Sequence, residues 1–255
     1  MSSDSRVELI EHLKRLSVVG LPAEWFSDAE RFRSATEIME AAEAPGAAPP
    51  ALWIPDSAVD SDSDTAELNS LRIDALGCMK CRLCETRNKV VFGAGRVDRP
   101  LIAFVGEGPG ADEDRTGEPF VGRAGALLTA AITKGLGLQR EDVYICNVVK
   151  CRPPENRAPL PDEVAACSPY LSRQLELINP KVIVTLGQPA QLALSGVNTG
   201  ITRLRGQWQT WRGFRLMPTF HPAYILRNPA AKKEFWADLQ TVMAAVGIER
   251  SAGAE

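Results

Sequence analysis

Three short runs rich in Val, Ile and Leu, at 101–105, 143–149 and 182–186, alternate with segments of helical apolar spacing at 124–136, 161–178 and 189–195. Strands this apolar are buried on both faces, and strands separated by helices cross over in parallel. A strand-like stretch at 215–220 and a closing helix around 231–246 complete the pattern. The expected fold is α/β, a three-layer α/β/α sandwich around a central, mainly parallel four-stranded sheet. In such sheets ligands collect outside the carboxyl ends of the strands, where the loops meet.

Charge divides the chain. Residues 1–65 hold thirteen Asp/Glu against five Lys/Arg, whereas residues 66–255 hold nineteen against twenty-four. Helical spacing at 6–16 and 27–42 makes residues 1–42 an acidic N-terminal helical extension. Residues 43–65, with the run Ala44–Pro50 and the repeat Asp60-Ser61-Asp62-Ser63-Asp64, are too poor in apolar residues to pack and read as a flexible linker. Within it Trp53-Ile54-Pro55 is an apolar island suited to docking an unknown partner of the extension. The main domain is expected over 66–248, with a disordered tail at 249–255. There is no apolar N-terminal run and no stretch of the roughly twenty apolar residues a membrane span needs. The chain is therefore expected to be a cytoplasmic monomer with no membrane association.

Six cysteines in such a chain argue for metal chemistry rather than a disulfide framework. Four are laid out as Cys78-x2-Cys81, sixty-nine residues, then Cys151-x15-Cys167. A pair separated by two residues can turn back on one centre, and the fold must deliver the other pair. Cys84 and Cys146 are further thiols, and spacing alone does not choose among Cys78, Cys81 and Cys84.

The strand ends carry the remaining signals. After the first comes Gly106-Glu107-Gly108-Pro109-Gly110, whose glycines permit close backbone approach to a flat ligand. It lacks the Lys-Ser/Thr of a P-loop and the dinucleotide spacing. The acids that follow, Asp112, Glu113 and Asp114, read as helix N-terminal charges. Phe120, between glycine turns, is either core or a stacking face. Asn147 ends another strand with an amide that both donates and accepts, as reading a base edge requires. His221, in His221-Pro222-Ala223-Tyr224, is one of two histidines in the chain.

The segments Gly106–Gly110, Pro119–Gly122, Asn147–Pro154 and His221–Tyr224 resemble the motif set of family 4 uracil-DNA glycosylases, in the family's order, over about 78–246. The resemblance implies a DNA-repair enzyme that flips uracil out of DNA and hydrolyses its N-glycosidic bond, leaving an abasic site. It implies a 4Fe-4S cluster on Cys78, Cys81, Cys151 and Cys167, with Cys84 and Cys146 as non-ligands; zinc is the alternative, since four thiolates also suit it. It implies Phe120 as stacking face, Asn147 as reader of uracil O4 and N3–H, Gly106-Glu107-Gly108 closing the remaining edge, and His221 as donor to uracil O2.

Glu107 is the candidate to position water or balance the developing sugar cation, with pocket lining or loop bracing as the competing role. Ile225-Leu226 would be a wedge into the gap left by the flipped base, or ordinary packing. Lys150, Arg152, Arg157, Arg203, Arg205 and Arg227 are candidates for phosphate contacts. The competing functions are a cluster-bearing DNA-binding protein without catalysis and a related glycosylase for another deaminated base. Against covalent capture of DNA, the compact segment 152–157 carries no histidine.

Overall fold

The computed structural model describes residues 61–248. The two N-terminal helices, the Trp53 island and the tail after 248 lie outside the described residues. In chain order the elements are α1 (Ser61–Leu76), β1 (Ala94–Gly95), β2 (Ile102–Gly106), α2 (Ala111–Thr116) and α3 (Arg123–Ala130), the last extended by a π-helical turn, Ala131–Leu136. Then follow β3 (Tyr144–Asn147), α4 (Pro161–Ile178), β4 (Val182–Leu186), α5 (Gln188–Ser195) and α6 (Ile201–Leu204). The series closes with β5 (Gln209–Trp211), β6 (Phe214–Thr219), α7 (Pro222–Arg227) and α8 (Lys232–Val246).

The sheet has six strands in the order β1-β3-β2-β4-β6-β5. Its central four are parallel, as expected, while β1 pairs antiparallel with β3 and β5 antiparallel with β6. The four-stranded expectation is thus corrected by two edge strands. Neither has a hydrophobic pattern of its own: β1 is two residues long, and β5 is reached through Arg212 and Gly213, both at positive φ (47° and 86°), the conformation of a tight hairpin turn.

Alternation along the buried strands builds two cores. Ala103 and Val105 of β2, Tyr144 and Cys146 of β3, and Ile183 of β4 face a cluster with Leu68 of α1, Leu171 and Leu175 of α4, and Leu194 of α5. Ile102, Phe104, Ile145, Val182 and Val184 face the other side, where Leu128 of α3 and Phe235, Leu239 and Val242 of α8 pack. These two faces make the three layers. α1 begins inside the segment assigned to the linker: Asp64 suits a helix N-terminal turn, and Leu68 and Ala75, two turns apart on one helical face, are buried. No described helix is long and apolar enough to cross a membrane.

The register sets the site. Gly106, the last residue of β2, lies directly opposite Asn147, the last residue of β3, and past the strand ends Val148 N–H donates to Gly106 O (2.9 Å) and Val149 N–H to Glu107 O (3.2 Å). β4 and β6 end together at Leu186 and Thr219, two residues before His221. Since β3 and β4 flank β2 on opposite sides, the crevice opens where successive crossovers diverge.

Candidate active site

A cleft of about 410 Å³ at these strand ends brings together Glu107, Gly108, Phe120, Asn147 and His221. The Phe120 and His221 ring centroids are 5.6 Å apart at 34°. Asn147 is 1% exposed, and among the described residues its Oδ1 is the one buried side-chain polar atom with no hydrogen-bond partner. A buried unpaired acceptor costs about 1–3 kcal/mol, so its persistence marks a place for an incoming donor. Gly106 explains how Asn147 and Phe120 come so close: a Cβ there would stand 2.4 Å from Asn147 Oδ1 and 2.5 Å from Phe120 Cζ. The bare Cα lets amide and ring pack side by side on the wall of the cleft.

His221 is the N-cap of α7, its Nδ1 accepting the Ala223 N–H at 3.1 Å. An Nδ1 that accepts carries no proton, so a neutral ring bears its proton on Nε2. Burial drives the His221 pKa down to about 4, with the Arg227 cation adding to the shift and Glu113 opposing it. The ring is therefore a neutral N–H donor at physiological pH. Burial also raises the carboxyl pKa of Glu107.

Glu113 and Asp114 do more than complement a helix end. Glu113 Oε2 accepts the Gly110 N–H (3.0 Å) and Oε1 accepts both the Val121 and Gly122 N–H groups (3.0 Å each). One carboxylate thus clamps the glycine loop to the turn carrying Phe120. That turn is strained: Phe120 has φ of 53°, a region costly for a residue with a side chain. Arg140 braces it from the other side by donating to Pro119 O. Asp114, fully buried, accepts from Asn88 N (2.9 Å), Asn88 Nδ2 (2.5 Å) and Lys89 N (3.3 Å). Reading the acidic run only as helix N-terminal charges missed both roles.

Cys78, Cys81, Cys151 and Cys167 line one cavity, and Cys84 lines it with them; Cys146 is fully buried within the core. The Lys150 backbone N–H donates to Cys167 Sγ at 3.3 Å and Arg87 Nη1 to Cys151 Sγ at 3.2 Å, contacts that favour thiolates. Burial pushes the Cys151 thiol up to about 11 against the pull of Arg87, so a metal centre is what would hold these groups as thiolates. Among the described residues no three His, Cys, Asp or Glu side chains are arranged to hold a single metal ion. Four thiols lining one cavity are a donor set that either an iron-sulfur cluster or tetrahedral zinc can use.

Three expectations are corrected by burial. Ile225 is 2% exposed and belongs to the core, whereas Leu226 is 40% exposed; no wedge includes Ile225. Lys150 is 2% exposed and faces inward, away from any phosphate. Arg205 pairs with the buried Asp238 through Nε (3.0 Å) and Nη2. The cleft also recruits Asn156, at φ of 55°, and Arg227. Asn156 went unnoticed because nothing in Pro153-Pro154-Glu155-Asn156 shows that its left-handed turn folds back over the cleft.

Known proteins share much of this sequence. The Uracil DNA glycosylase superfamily matches residues 92–240. A type-4 uracil-DNA glycosylase of Thermotoga maritima is 54% identical over 153 residues, covering 59% of this chain and 79% of that protein. One of Archaeoglobus fulgidus is 43% identical over 183 residues, covering 69% and 91%. A type-5 uracil-DNA glycosylase of Pyrobaculum aerophilum is 34% identical over 144 residues, covering 50% and 63%. The chain belongs to the uracil DNA glycosylase superfamily, and within it to the type-4 enzymes.

Proposed function

We propose that the protein is a monofunctional uracil-DNA glycosylase of base-excision repair, hydrolysing the N-glycosidic bond of uracil flipped out of DNA and leaving an abasic site. The observation that carries this reading is the unpaired Asn147 Oδ1 in the wall of the cleft that Phe120 also lines. A base inside a duplex cannot present its anomeric carbon, so it must leave the stack, at a cost of a few kcal/mol. The cleft offsets that cost by stacking on Phe120 and by pairing. Uracil N3–H supplies the donor that Oδ1 lacks, and uracil O4 takes the amide Nδ2–H. Cytosine presents an acceptor at N3 and an amine at position 4, leaving both amide groups mismatched, which is the strongest form of rejection a polar pocket offers.

As the bond lengthens, negative charge collects on uracil and positive charge on the sugar. Nε2–H of the neutral His221 is the donor to O2, where the uracil charge grows. Glu107, in the same cleft, is assigned to the water and the sugar cation, with Asn156 as a second polar group within it. Leu226 remains as the exposed apolar residue able to enter the gap in the stack, and Arg152, Arg203 and Arg227 as phosphate contacts, whereas Arg157, like Arg205, is held by a buried carboxylate, that of Glu163, through Nη1 (2.8 Å) and Nη2 (2.6 Å). Cys78, Cys81, Cys151 and Cys167 would hold a 4Fe-4S cluster, which when bound would cross-link the 78–84 segment to the chain following Asn147. Its part in the reaction is to hold structure.

The test is cleavage of an oligonucleotide containing a single uracil, treated with alkali to break abasic sites. Scission at the uracil is expected; an intact strand with iron-replete protein would count against catalysis and favour a DNA-binding role or another base. Glu113→Gln offers a finer check. Its amide keeps one acceptor but turns an NH2 toward backbone donors, so kcat/KM should fall about tenfold. Iron per chain should stay unchanged, and equal kcat/KM for variant and wild type would remove Glu113 from the pocket's organisation.

A further inference from the structure

Lys150 is among the largest fully buried side chains, and its ammonium is spent on two acceptors. Nζ donates to the main-chain carbonyl of Asn147 at 2.9 Å and to Gln174 Oε1 at 2.6 Å. Gln174 is itself fixed, its Nε2 donating to Phe92 O (2.9 Å) and to the Tyr144 hydroxyl (2.7 Å). The Phe92 ring centroid lies 5.7 Å from the ammonium. Among the described residues no carboxylate pairs with Lys150. A buried ammonium is expensive unless something compensates it. Lys150 also lines the thiol cavity, so the thiolates a metal centre requires would stand as its counter-charge.

We propose that Lys150 is a positioning residue for base recognition, its Nζ holding the Asn147 main-chain carbonyl directly and so fixing where the Asn147 amide meets uracil. This inference rests on the uracil-excision reading above. β3 ends at Asn147, and beyond it Val148 and Val149 bond to the glycine loop. The carbonyl of Asn147 is thus where the buried ammonium reaches the backbone of the residue whose amide lines the cleft. A hydrogen bond from a charged donor is among the stronger tethers available there. The residue touches no substrate atom; it acts through Asn147.

The experiment compares competitive inhibition by free uracil, iron per chain and the KM and kcat of uracil excision in wild type, Lys150→Met and Gln174→Leu. Lys150→Met keeps the side-chain length and loses every donor, whereas Gln174→Leu damages the same buried network while leaving the Nζ to Asn147 O bond. The expected result is an inhibition constant for uracil about tenfold higher in Lys150→Met, with iron unchanged and the loss weighted toward KM. Gln174→Leu is expected to shift that constant less than about twofold. An unchanged constant in Lys150→Met, a loss that Gln174→Leu reproduces, or a loss that accompanies departure of iron overturns the assignment. Wild-type protein that neither excises nor binds uracil would instead overturn the parent reading, and this one with it.

Discussion

Replacing His221 by Ala is expected to slow single-turnover excision by about 10²–10³-fold, the usual cost of losing one preorganised donor to a developing anion. Because His221 also caps α7, part of any effect might be blamed on the helix. His221→Asn separates the two, since Asn is a good N-cap but too short to reproduce the reach of Nε2. It should retain thermal stability near that of wild type and still excise slowly. A near-normal single-turnover rate in His221→Asn would exclude His221 as the O2 donor.

The pH dependence has a definite sign. The folded pKa of about 4 lies below the ordinary 6.5, so the fold favours the neutral ring. Between these values the unfolded chain binds a proton that the folded chain does not, and His221's contribution to stability is lost as pH falls through that window. The rate should hold its plateau down to about pH 4 on account of this residue, because protonation there ends the acceptance of the Ala223 N–H. A limb centred near 6.5 would show that the ring titrates freely.

Gly106→Ala should be as damaging, by a different route. The new methyl falls well inside contact distance of both Asn147 Oδ1 and Phe120 Cζ, so the amide and the ring must shift. Relief by shifting core groups costs about 1–3 kcal/mol in comparable overpacked sites, and the base would still meet a displaced partner. A fall of about 10²-fold or more in kcat/KM is expected, carried largely by KM, with circular dichroism unchanged. Wild-type affinity for free uracil in this variant would show that the base does not rest on Phe120 and Asn147.

How much of this was legible beforehand depended on whether local pattern or three-dimensional burial decided each feature. The central strands, α4 and α8 are long or strongly apolar, and their positions followed from periodicity. β1 and β5 are held by partners rather than by their own composition, and no residue in Ala94-Gly95 announces a strand. Among site residues, Asn147 and His221 were legible as polar groups at strand ends, and Phe120 as an aromatic set between glycine turns. Glu113 and Lys150 were misread for one reason: a charged side chain is usually solvated, and only the folded chain shows three amides converging on one and a carbonyl with an amide on the other. Ile225 and Leu226 are adjacent apolar residues on a short helix, and no sequence rule says which one turns outward.

The cross-strand pairing of Gly106 with Asn147 bears on how such a pocket diversifies. The residue that leaves room and the residue that reads are neighbours in one ladder, so their spacing is a property of the scaffold and is inherited with it. Loops around the rim can lengthen, change charge or adapt to other nucleic-acid contexts while the recognised base stays the same. A change of base, by contrast, has to be written into the two strand ends themselves.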